Sequence, residues 1–193
     1  VGRCWHPEMD DAITHVFRSE IDNYNTFDWS NNNADLGEEP IVMMAYQGRV
    51  LIWTTTKMHL LETSTMSIVD TTEEISVFDP NAAISTDYGL FFADKNNIYL
   101  WDGSTMSPIG GPILHNTDNP SYGYQQMVNS SSSNGVLPSV FYDGPNTSVC
   151  IGLADSNGDG KIFSFNLISK RWDLYDSPKP LAIASSGTGR NLI

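Results

Sequence analysis

A short unit that recurs along the chain in modified form constrains the fold more than any other feature. Residues 88–110, YGLFFADKNNIYLWDGSTMSPIG, hold an apolar run (Leu90-Phe91-Phe92-Ala93), a turn cluster (Asp94-Lys95-Asn96-Asn97) and a second run (Ile98-Tyr99-Leu100-Trp101). Runs rich in β-branched and aromatic residues on either side of Asn and Asp read as a hairpin. Asp102-Gly103-Ser104 turns the chain again, and 106–109 is short enough for an outer strand before Gly110-Gly111-Pro112 stops it. Residues 41–53, IVMMAYQGRVLIW, and 149–165, VCIGLADSNGDGKIFSF, repeat the run, turn and run. Aligned on their second runs, Trp53, Trp101 and Phe165 close three equivalent strands, 48 (101 − 53) and then 64 (165 − 101) residues apart. The excess falls in a Ser/Asn-rich stretch at 115–135. Three- or four-stranded units recurring every 40 to 50 residues or so have the spacing of propeller blades.

The expected fold is therefore all-β, with β-propeller-like repeats of antiparallel three- or four-stranded blades. It forms one domain over residues 1–193, a partial propeller whose two ends are free to share a fourth blade. Trp53, Trp101 and Phe165 are expected to pack between blades. The runs Ile41-Val42-Met43-Met44-Ala45 and Val50-Leu51-Ile52-Trp53 do not alternate with polar residues, as strands covered on both faces need not. Strands are also expected at 13–17 and 136–142, with another starting at 180–184. Residues 75–78 serve as an outer strand or a connection. Residues 30–39 read as a loop, and 115–135, with four consecutive serines, as a long loop or insertion. No stretch offers a helix of 10 residues with a clean 3.6 period. The chain begins with Val1 instead of Met, so a processed product or a piece of a longer chain is expected.

The formal net charge is −13, from 23 acidic and 10 basic residues. Lys and Arg do not cluster, which argues against a grip on phosphates. A surface that DNA slides past without sticking would be acidic. Cys4 and Cys150 make no disulfide framework and read as free thiols, with one bridge as the alternative. No apolar stretch reaches 18 residues, so no membrane span is expected.

Candidate chemistry is sparse. Asp155-Ser156-Asn157-Gly158-Asp159-Gly160 matches the first half of a calcium loop, making Asp155, Asn157 and Asp159 candidate ligands, but the twelfth position is Asn166 where a bidentate Glu belongs. The other reading is a polar hairpin turn. His6, His15, His59 and His115 have no zinc spacing, and G-x-S-x-G is absent. Neither cofactor nor catalytic residue is expected. Carboxylate-based glycan hydrolysis is the enzymatic alternative, since propellers can carry it and it needs only two suitably placed carboxyls. Exposed Trp and Tyr could stack on sugars. More often such aromatics are core.

Several segments together resemble a family. Val16-Phe17-Arg18-Ser19-Glu20, Asp22-Asn23-Tyr24 and Thr26-Phe27-Asp28-Trp29 look like a strand, polar turn and Phe-containing stretch of bacteriophage virion propeller proteins. Gly37-Glu38-Glu39-Pro40-Ile41 follows, then the hairpin Gly48-Arg49-Val50-Leu51-Ile52-Trp53-Thr54 with His59-Leu60-Leu61-Glu62. Ile98-Tyr99-Leu100-Trp101-Asp102-Gly103, Asn166-Leu167 and Arg171-Trp172 complete the likeness. The pattern is similar to the tail tubular protein B (nozzle) and tail hub family of short-tailed phages. The resemblance implies a non-enzymatic virion component of the tail or neck. Such a protein forms a homo-oligomeric ring, commonly a hexamer, that joins portal or adaptor to distal tail and lets DNA through without specific binding. Tyr122 and Tyr124, in the 115–135 stretch, are the candidate subunit contacts. The alternative is a carbohydrate-binding or glycan-hydrolysing propeller acting on the host surface, and a third reading is a kelch-like adaptor.

Overall fold

The computed structural model describes residues 14–20, 22–28, 30–115, 122–136, 138–177, 184–185 and 191–192. The chain divides into two compact units, Val1–Val77 and Phe78–Ile193. The fold is all-β, built on four-stranded antiparallel sheets of propeller-blade type.

The first unit starts with four short strands, β1 (His15–Phe17), β2 (Ser19–Glu20), β3 (Asn23–Phe27) and β4 (Asn33–Asp35). β1 pairs with β4 and β2 with β3. The expected loop at 30–39 thus contains a three-residue strand. A meander follows: β5 (Val42–Tyr46), β6 (Arg49–Trp53), β7 (Lys57–Glu62) and β8 (Ser67–Glu73). Gln47 and Gly48, with φ of 50° and 77°, make the two-residue turn between β5 and β6. Positive φ at both positions matches the right-handed twist of the strands. The fourth strand is β8, so 75–78 is a connection. Val16 and Ala34 from the short strands and Leu36 just after β4 pack with Val50, Ile52, Leu61 and Met66 of the meander. Arg18 adds a polar tie, donating to the carbonyls of Thr63 and Ser64 and to Asn32 Oδ1.

The second unit carries two such meanders. β9 (Ala83–Thr86), β10 (Gly89–Ala93), β11 (Ile98–Trp101) and β12 (Met106–Pro108) form one. After a helix, α1 (Tyr124–Ser133), come β13 (Ser139–Asp143), β14 (Ser148–Ala154), β15 (Gly160–Asn166) and β16 (Trp172–Ser177), then a small hairpin of β17 (Ala184–Ser185) and β18 (Asn191–Leu192). The start of a further strand expected at 180–184 lies mostly outside the described residues. Leu90, Phe91, Phe92 and Ala93 are all fully buried, as a strand covered on both faces requires. Phe91, Ala93 and Ile98 share one core with Val140, Val149, Ile151, Phe163 and Phe165, so the two meanders of this unit pack face to face. Trp172 sews them together: its Nε1 donates to the Ile109 carbonyl at 2.9 Å while its ring lies 4.9 Å from Phe165. Gly89 of β10, at φ 143°, lies against the Trp101 backbone of β11. A Cβ there would sit 2.8 Å from the Trp101 carbonyl oxygen, so only glycine fits.

The helix corrects the expectation of a long loop or insertion at 115–135, over residues Tyr124–Ser133. Tyr124, Met127, Val128 and Ser131, all buried, fall at i, i+3, i+4 and i+7 and form one face. The stripe is short and ends in serine, which hid it. Ser131, Ser132 and Ser133 donate to the carbonyls of Met127, Val128 and Asn129, so their hydroxyls are satisfied inside the helix.

His59, opposite Ile52 and Thr71 in the first unit, is 4% exposed. Its Nδ1 lies 3.0 Å from Thr71 Oγ1, and its Nε2 has no partner. Burial lowers its pKa below 6.5; Lys57 acts in the same direction and Glu38 against it. The unfolded chain therefore takes up this proton first, and the stability His59 contributes as a neutral ring is full above about pH 6.5 and lost as pH falls from there. Urea unfolding at pH 7 and pH 5 should show a smaller pH-dependent loss for His59→Gln than for the unsubstituted chain.

Candidate functional site

The turns between the second and third strands of the three large sheets hold the residues that do correspond. Thr54, Asp94 and Asp155 open these turns, with backbone N–H groups donating to the carbonyls of Lys57, Asn97 and Asp159. Each side chain then folds back onto the turn. Thr54 Oγ1 accepts from the Lys57 N–H at 3.2 Å. Asp94 Oδ1 accepts from Asn96 and Asn97 at 2.7 and 2.6 Å, and Asp155 Oδ1 from Asn157 and Asp159 at 2.9 and 3.0 Å. All three residues are buried, at 0%, 6% and 2% exposure. The amides of such a turn have no ladder partner, and a short, buried side-chain acceptor satisfies them. At Asp94 burial raises the carboxyl pKa, against the pull of the Asn97 and Asn96 amides and the Tyr99 hydroxyl. In the first unit Glu38 reinforces the turn, accepting from Thr54 Oγ1, Thr56 N–H and Thr56 Oγ1.

The turns correct the alignment on aromatics. Trp53, Trp101 and Phe165 are all buried, but Trp53 ends the second strand of its sheet, whereas Trp101 and Phe165 lie on the third strands of theirs. The three aromatics are therefore not equivalent. Residues 41–53 are the first two strands of a sheet, while 90–101 and 149–165 hold the second and third. Measured at the turn residue, the repeat is 40 residues from Thr54 to Asp94 and 61 from Asp94 to Asp155. The longer interval contains α1.

The calcium-like turn is also corrected. One Asp155 oxygen takes the two turn amides; the other, Oδ2, lies 3.6 Å from Lys161 Nζ. Lys161 reaches Asp176 Oδ1 at 2.5 Å and sits 5.3 Å from the centre of the Tyr122 ring. The Asp176 hydrogen bond is the main cause of its raised pKa, opposed by burial. An ammonium thus stands beside the carboxylate that a metal would need, and Asn157 and Asp159 are exposed. Among the described residues no group of three or more His, Cys, Asp or Glu could hold a metal ion.

Of the two tyrosines expected at subunit contacts, Tyr124 is fully buried, which removes it from any surface. Its hydroxyl donates to the Asp94 carbonyl at 2.7 Å, and its ring meets Phe163 edge to face. Tyr122 is half-buried beneath Lys161. The helix straps the two turns of the second unit. Tyr124 holds the 94–97 turn, and the Ser131 hydroxyl accepts from Ala154 N–H at 2.6 Å beside the 155–159 turn. Neither contact was legible in the sequence, because no spacing rule joins a serine to a strand end 23 residues on.

Two depressions open on the second unit. One, of about 270 Å³, lies among His115, Tyr122, Phe163 and Trp172. The other, of about 500 Å³, lies on the face of the β13–β16 sheet turned away from β9–β12, with Cys150 in its lining. Cys150 is a free thiol, its pKa pushed up to about 11 by burial, hence neutral and unreactive. Cys4 and His6 lie outside the described residues.

Removing the Ser131 hydroxyl leaves the buried Ala154 N–H unpaired, which costs about 1–3 kcal/mol. Urea unfolding of Ser131→Ala and Tyr124→Phe should show losses in that range, and Gln126→Ala, on the exposed side of the same helix, little change.

No family model and no curated protein matches the chain. Among solved structures it is similar to BBS1N, a β-propeller, in the crystal structure of BBS1N in complex with ARL6DN, soaked with mercury. The TM-score is 0.50 at 13% identity, over 89% of this chain and 50% of that one. The chain spans half the length of that propeller, and at this identity the likeness concerns fold alone.

Proposed function

We propose that the protein is a structural component of a bacteriophage tail or neck. It is one subunit of a ring around the DNA channel, between portal or adaptor and distal tail. The observation that carries this reading is the likeness of residues 16–20, 22–24, 26–29, 37–41, 48–54, 59–62, 98–103, 166–167 and 171–172 to nozzle and tail hub proteins. The net charge of −13 supports it, because an acidic wall repels phosphates and lets a duplex pass without sticking. The polar groups that looked most like chemistry also fit a scaffold: Asp94 and Asp155 satisfy turn amides, and Lys161 pairs with Asp155 and Asp176.

Native mass spectrometry and negative-stain microscopy test the proposal, on the chain alone and with its portal or adaptor. A closed ring, expected as a hexamer, supports it, together with no mobility shift of duplex DNA at roughly 0.15 M salt. A monomer that joins neither neighbour, or tight binding of duplex DNA at that salt, overturns it.

A further inference from the structure

Lys170-Arg171 is the one place where two of the 10 Lys and Arg residues adjoin in sequence. It lies at the tip of the β15–β16 hairpin, with Ile168 beside it. At 75% exposure Ile168 is more open to solvent than any other large apolar side chain among the described residues. The tip is held firmly from below. Leu167 is buried and its N–H donates to the Thr147 carbonyl. Asn166 Oδ1 accepts from the Ile168 and Ser169 N–H groups at 3.0 and 2.8 Å, and the Asn166 carbonyl accepts from Lys170 N–H at 2.9 Å. Lys170 Nζ lies 5.9 Å from the centre of the Phe165 ring. Arg171 meets Asp173 through one nitrogen at 3.8 Å and stays 75% exposed, which leaves most of its N–H donors to solvent. An apolar side chain beside two cations, on a turn with little entropy left to lose, is suited to docking.

We infer that this tip docks on the outer edge of β8 in a second copy of the chain. β8 is the fourth strand of the β5–β8 sheet, and among the described residues its outer side pairs with no strand. A bulge sets Val69 and Asp70 together opposite Leu60 and leaves Val69 54% exposed. Asp70, Glu73 and Glu74 are exposed around it. Glu73 pairs with Lys57 at 3.3 Å, whereas Asp70 and Glu74 have no ion pair among the described residues. The edge thus presents an apolar side chain among carboxylates, which complements the tip. An acidic partner of another kind would also suit the tip; the open, acidic β8 edge carried by every copy is what selects a second copy.

Charge also selects the arrangement. Tip against tip brings cations together and edge against edge brings carboxylates together, so like patches repel and unlike patches meet. The contact is therefore heterologous, and such a contact repeated from copy to copy makes a ring wherever its rotation closes. The inference rests on the ring reading and deepens it, by naming the surfaces through which the subunits meet.

Sedimentation velocity and native mass spectrometry on the full chain test it through two charge reversals. One variant carries Lys170→Glu and Arg171→Glu, the other Asp70→Lys and Glu74→Lys. Each alone should weaken self-association by about tenfold or more, because its tip and edge then carry the same sign. Mixed in equal amounts, the two should associate as the unsubstituted chain does, since every tip again meets an edge of opposite sign. Ile168→Asp should also weaken association, and Lys95→Glu, exposed in the 94–97 turn, should not. The substituted side chains are all exposed, so each variant should keep the thermal unfolding curve of the unsubstituted chain. Association undiminished in both reversed variants, or a mixture that does not recover, overturns the inference even where the unsubstituted chain forms closed rings. A chain that stays monomeric at every concentration and beside its neighbours overturns inference and ring together. Association that needs both patches but runs to open chains supports the inference and overturns the ring.

Discussion

The amides of a tight turn at the end of a sheet have no ladder partner, and this constraint recurs in all three large sheets. The strands satisfy their own amides through the ladders. The turns cannot, so Thr54, Asp94 and Asp155 each carry an oxygen back to the N–H groups of their own turn. A buried carboxylate is costly when unpaired. It is tolerable here because two N–H donors, and at Asp155 the Lys161 ammonium as well, face it.

The same requirement explains the helix. A chain that leaves one sheet at β12 and enters the next at β13 must cross the ends of both, where carbonyls and amides are still open. α1 answers that need at two points, with the Tyr124 hydroxyl on Asp94 and the Ser131 hydroxyl on Ala154, while Met127 and Val128 extend the core. What reads as a long, serine-rich loop or insertion contains a strap, and its buried tyrosine is cement between elements instead of a contact for another subunit.

The two faces of the β13–β16 sheet contrast in composition. Where two sheets meet, in the second unit, facing residues are apolar and the strands lose alternation, as in β10. On the far side of β13–β16 alternation returns: in β15, Phe163 and Phe165 point into the core and Ser164 and Asn166 away from it.

The sequence by itself determined the class of fold, because runs of β-branched and aromatic residues separated by Asn, Asp and Gly turns permit little besides antiparallel meanders. It also located β10, β11, β14 and β15 closely, since each is bounded by turn chemistry. Strand order within a sheet was decided by tertiary structure. Trp53 and Trp101 both close an apolar strand after a polar turn, and only pairing reveals that one lies on a second strand and the other on a third. The fate of Asp155, Asn157 and Asp159 was likewise undecided, because a calcium loop and a capped hairpin share their residues. The approach of Lys161, six positions along and across the hairpin, selected the latter. Helix α1 lay beyond local reading for the same reason: its serines favour a helix only where Ala154 and the core are there to receive its buried face.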